Sequence, residues 1–141
     1  MNPIDVTVDR LLSELAITPV LVDVGASSAR PAIWNPIAQR SIYVGFDPDA
    51  RDLVETSNGK FFKEFVINEA VTPDRDARHV RFYFTKSPYC SSVLKPDKEA
   101  LSHFLFADLF AVQHEGDVKA TFLDAVLDRL HLSGVDWLKL D

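Results

Sequence analysis

The residues best suited to chemistry are one glycine and two carboxylates, each set at the end of a short apolar run. V-L-V-D-V (20–24) carries Asp23 and stops at Gly25-Ala26-Ser27-Ser28; S-I-Y-V-G-F (41–46) stops at Asp47. A glycine at such a turn lets a ligand approach the backbone closely. An acid about twenty residues further on stands where a carboxylate can accept hydrogen bonds from both hydroxyls of a ribose. The layout strand, glycine turn, helix, strand, acid is that of a nucleotide-binding α/β half-domain.

The glycine pattern narrows the ligand. A pyrophosphate needs G-x-G-x-x-G so that the backbone can touch the phosphates. Only Gly25 is present, and Ala26, Ser27 and Ser28 would crowd a diphosphate. A nucleoside with an amino-acid tail and no phosphates suits this loop better, which describes S-adenosylmethionine rather than NAD.

These residues need elements to hold them. Ile4, Val8, Leu11, Leu12 and Leu15 recur at helical spacing, predicting an N-terminal amphipathic helix that packs on the first strand or covers the cleft. The continuous apolar run 20–24 reads as a central parallel strand buried on both faces. A helix from about Arg30 to Gln39 follows, capped by Ser27 or Ser28, with Pro31 in its first turn and Pro36 kinking it. After the second strand, Asp47 or Asp49 caps a helix to about Ser57, and Asn58-Gly59 stops it. Phe61–Ile67 is the third strand, with Asn68-Glu69-Ala70-Val71 at its ligand-binding end. Val80, Phe82 and Phe84 alternate as a half-exposed strand, 86–97 is a loop, and Glu99–Phe106 a short helix. Residues 110–121 read as a hairpin turning at Glu115-Gly116-Asp117. Phe122–Leu132 is an amphipathic helix with Phe122, Val126, Leu127 and Leu130 on one side, and Val135–Asp141 a further buried strand.

The bulk numbers bound the partners. The chain has 141 residues, a net charge of −6, 47% hydrophobic and 26% charged residues, and a single cysteine. That is one ordinary α/β domain with room for a core. Scattered Lys and Arg offer no footprint for nucleic acid. No apolar run is long enough to span a membrane, no signal peptide is visible, and Cys90 alone fits a reducing compartment, so a cytoplasmic protein is expected. The histidines at 79, 103, 114 and 131 are too dispersed for a metal site.

V-D-V-G-A-S resembles methyltransferase motif I, and V-G-F-D-P-D resembles the acidic second motif, where the FkbM family usually has G-F-E-P. N-E-A-V, F-Y-F-T-K-S-P-Y-C-S-S-V-L-K-P-D, T-F-L-D-A-V-L and V-D-W-L-K-L-D look like that family's later landmarks, in the same order, so the resemblance covers the chain from Pro19 onward. It implies a Rossmann-like, mostly parallel sheet with flanking helices and a β-hairpin insertion, binding S-adenosylmethionine and methylating a hydroxyl of a sugar or small metabolite. It further implies that Asp23, Gly25, Ala26 and Ser27 line the methionine side, that Asp47 holds the ribose, and that Glu69 and Ala70 lie near the adenine. In the family an acidic residue or Gln and a Gly usually follow the last strand; this chain ends at Asp141 before that motif, so a domain lacking its C-terminal strands is expected.

Three candidates remain. Asp141, at a strand end, is the acid placed to act as general base on a hydroxyl acceptor. Ser91 and Ser92 are candidates for the acceptor's site, against the plainer reading that a serine pair turns a loop. Two rivals stand beside the methyltransferase: an incomplete domain that binds cofactor or pairs its open sheet edge with another chain as a homo-oligomer, and an NAD-dependent oxidoreductase, weakened by the missing glycines.

Overall fold

The computed structural model describes residues 3–26, 29–51 and 59–141. The chain builds α1 (Pro3–Glu14), β1 (Val20–Val24), β2 (Ile42–Phe46), β3 (Lys63–Ile67), β4 (Ala70–Val71), β5 (His79–Thr85), α2 (Lys98–Leu101), β6 (Val112–Thr121), α3 (Leu123–Arg129) and β7 (Trp137–Leu140). One sheet is entirely parallel, in the order β3-β2-β1-β7; a smaller one is ordered β4-β6-β5. The fold is therefore α/β with a mostly parallel sheet and few helices.

β1 is continuous in its apolar character because both its faces are covered. Val20, Val22, Val44 and Phe46 pack beneath Val126 of α3, with Leu123 and Leu130 alongside. Leu21 and Tyr43 point the other way, onto Trp34, Ala38 and Phe61. Burying one such aliphatic side chain stabilises by roughly 1.5–3 kcal/mol, so these two clusters hold the sheet that carries the site.

Several elements depart from the sequence reading. The helix expected over 30–39 is two short 3₁₀ turns, Ala32–Trp34 and Ala38–Arg40. Pro36 removes an i→i−4 hydrogen bond and its ring collides with the preceding turn, so a continuous α-helix cannot form. The hairpin expected over 110–121 is one ten-residue strand, β6, paired antiparallel with β5. Gly116 sits mid-strand opposite Phe82 rather than making a turn. The helix expected over 99–106 shrinks to the single turn of α2, capped by the Asp97 carboxylate. β7 pairs with β1 as expected of a parallel strand, yet Trp137, Leu138 and Leu140 are exposed. It lies at the sheet's edge, with no further strand beyond it among the described residues. The helix expected to run to Ser57 lies outside the described residues.

α1 forms where its periodicity places it, but buries none of its residues. Arg40 pins it through Asp9 at 2.6 Å, which holds it beside the Ala38–Arg40 turn rather than over the cleft.

Candidate functional site

β1, β2 and β7 run parallel, so their carboxyl ends open at one edge of the sheet. A cavity of about 360 Å³ lies there. Val24 and Gly25 enter it from β1, Phe46 and Asp47 from β2, and Asp141 from the end of β7. Glu69, Ala70 and Val71 come from the junction where β3 leaves the first sheet and β4 joins the second. Phe82 of β5 and the 88–93 segment close the opposite side.

Gly25 has φ +83°, a conformation that L side chains rarely adopt. A Cβ there would also meet the Asp141 Cβ at 3.0 Å. Glycine is thus required twice over, and the backbone of the turn lies bare against the cavity. The Gly25 and Ala26 N–H groups both donate to the Phe46 carbonyl at 2.9 Å. That leaves neither of them for a phosphate.

Asp47 is held from three sides. Its N–H donates to the Ile67 carbonyl at 3.1 Å, its own carbonyl accepts from Asn68 Nδ2 at 2.8 Å, and its Oδ1 accepts the Asp49 N–H at 2.8 Å. The carboxylate is therefore set at the β2 end by the chain itself. Among the described residues lining the cavity there are three carboxylates, Asp47, Glu69 and Asp141, and no Lys, Arg or His. Such a site repels phosphates and anions and favours cations or hydroxyl-rich ligands.

Seven of the sequence-predicted residues, Gly25, Asp47, Glu69, Ala70, Ser91, Ser92 and Asp141, meet at this cavity. Ala26 is buried under the turn and does not line it. Ser27 lies outside the described residues. Asp23 is also absent from the wall. It points to the Tyr43 side of β1, 1% exposed, accepting the Tyr43 hydroxyl at 3.0 Å and the Lys139 ammonium at 2.9 Å. Burial, and then the Asp23 charge, push the Tyr43 phenol far above its ordinary range, so it stays a donor.

Lys139 is a residue that sequence reasoning passed over. Its ammonium bridges Asp23 on β1 and Asp141 beyond β7. Partial burial opposes its charge, but the hydrogen bonds to Asp141 and Asp23 outweigh that and hold its pKa above the ordinary lysine value. The signal was present: in a strand, residues two apart share a face, and Lys139 precedes Asp141 by two.

Arg51 was missed as well. Its guanidinium grips Asp49 at 2.6 Å, the Thr85 carbonyl at 2.9 Å and Ser91 Oγ at 3.1 Å, tying the β2 end to β5 and the 86–97 loop. Burial alone would raise the Asp49 pKa, but the bonds from Arg51 and Ser91 hold it below the ordinary carboxylate value. Ser91 Oγ also accepts the Thr85 N–H at 3.1 Å, and Ser92 Oγ the Leu94 N–H at 3.1 Å. Both serines stand at the wall, and their hydroxyls also knit the loop.

Compared with known proteins, the chain matches no family model, and no curated protein or solved structure is similar to it.

Proposed function

We propose that the cavity is an S-adenosylmethionine site and that the chain is a methyltransferase-type domain of the FkbM kind, with a Rossmann-like sheet, acting on a hydroxyl. The observation that carries this reading is the meeting of a bare glycine turn with three carboxylates, and with no cation among the described lining residues, at the carboxyl ends of β1, β2 and β7. The strand order β3-β2-β1-β7 supports it, because ligands of open α/β sheets bind at the carboxyl edge, where the connections to a central strand diverge.

The residues fit the group. Asp47 would take the ribose hydroxyls, and Glu69 and Ala70 the adenine, with Phe46 and Val71 as apolar walls. Gly25 would let the amino-acid portion pass the backbone, and an acidic wall suits a molecule carrying sulfonium and ammonium charges. When bound, S-adenosylmethionine supplies an electrophilic methyl group. The chain's own task is then to orient an acceptor hydroxyl and take up its proton, for which Asp141 is the carboxylate in reach, held at the cavity edge by Lys139.

Calorimetric titration with S-adenosylhomocysteine tests this. Binding is expected in the wild-type protein and a loss of about tenfold or more in Asp47→Ala, the equivalent of about 1.4 kcal/mol or more. Equal binding by both proteins would remove the basis of the proposal.

A further inference from the structure

The cavity has two unlike sides. The strand-end side carries Asp47, Glu69 and Asp141 among Val24, Phe46 and Val71; the β5 and loop side carries Phe82, Pro88, Tyr89 and Val93 with Ser91 and Ser92. At about 360 Å³ the enclosed space lies near the lower end of ligand cavities, roughly 300–1,000 Å³, enough for one nucleoside-sized molecule. An acceptor must therefore lie largely across the rim, and on the loop side, beside Ser91 and Ser92, the rim carries exposed apolar side chains. Tyr89 is 70% exposed and Val93 47% exposed although both also line the cavity, and Leu94 beside them is 75% exposed.

The loop that carries them is built as a unit. Its N-terminal end is pinned by Lys86 N–H to the Ala111 carbonyl at 2.8 Å and Ser87 N–H to the Leu109 carbonyl at 3.1 Å, and by the Lys86–Asp108 ion pair; Ser92 pairs through its backbone with Tyr83. The same lobe exposes Phe104-Leu105-Phe106, with the two phenyl rings stacked at 5.0 Å. Clustered exposed apolar residues of this kind mark contact surfaces.

We propose that the methyl acceptor is an uncharged, largely apolar hydroxyl compound whose carbon skeleton lies on the Pro88, Tyr89, Val93 and Leu94 rim with its hydroxyl turned toward the carboxylate side. This rests on the S-adenosylmethionine reading of the cavity and narrows its acceptor. An anionic acceptor is disfavoured by the three carboxylates, and a sugar would leave the rim's apolar surface without a partner.

The test is a series of primary alkanols, hexanol to decanol, titrated into the full chain saturated with S-adenosylhomocysteine. Affinity is expected to rise about two- to fourfold per added methylene, and decanoate to bind more weakly than decanol. The variant Leu94→Ser, on the exposed rim and outside the cavity lining, is expected to flatten the chain-length dependence while keeping its affinity for S-adenosylhomocysteine. A flat series, or a series unchanged in the variant, overturns the inference alone if S-adenosylhomocysteine still binds. Failure of S-adenosylhomocysteine to bind overturns the cofactor reading and this one with it. Rim-dependent binding to phosphatidylcholine vesicles without binding of monomeric alkanol also overturns it, in favour of a membrane surface.

Discussion

At the residue scale, Lys139 decides how the β1 and β7 ends sit. It neutralises Asp23, which is buried, and holds Asp141, which is not. Replacing it by methionine would leave Asp23 with the Tyr43 hydroxyl and no cation, and a buried group stripped of a partner costs about 1–3 kcal/mol. Urea denaturation at pH 7 should read a loss of that size in Lys139→Met. The sign of the pH dependence follows from the raised pKa. The folded state binds the proton more tightly, so the contribution is complete below the unfolded value of about 10.4 and is lost as pH rises through the folded one. The wild-type protein should lose its advantage over the variant on alkaline titration; a constant gap above that range would count against the bridge.

At the element scale, the second sheet face is held by ions as well as by rings. Arg30 meets Glu64 of β3 at 3.2 Å, both side chains nearly sealed from solvent, and its guanidinium lies over the Tyr43 ring at 4.6 Å. Breaking such a pair strands a charge and costs about 3–5 kcal/mol. Arg30→Met should show that loss in chemical denaturation, and a near-neutral effect would mean that Glu64 finds another partner. Neither residue stood out in the sequence, because an arginine and a glutamate 34 positions apart carry no local signal. The strands were legible because β-branched runs bounded by Gly and Asp have few other uses. The helix over 30–39 was not, since Pro36 does more than kink it and leaves two 3₁₀ turns.

At the scale of the whole molecule, the edge formed by β7 bears on the alternative reading of a binding or interaction module. Its outer backbone faces no strand among the described residues, and Trp137, Leu138 and Leu140 are exposed along it. Such an edge is a template for pairing with another strand. If the chain pairs through it, light scattering on the eluting protein should give a dimer mass that falls to the monomer in Leu138→Lys. A monomer at all concentrations, still binding S-adenosylhomocysteine, would dismiss edge pairing and leave the cofactor site. No described helix is long and apolar enough to cross a membrane.

The sequence by itself determined the parallel strands β1, β2 and β3, the need for glycine at Gly25 and the acid at Asp47, because those depend on local sterics and short-range spacing. Only the tertiary structure decided which acids share a cavity. Asp23 and Gly25 are two residues apart, yet Asp23 is still within β1 and turns its carboxylate toward Tyr43 and Lys139, while Gly25, past the strand end at φ +83°, faces the cavity with Asp47 and Asp141. Register across β1, β2 and β7, set by packing on both faces of the sheet, drew that line.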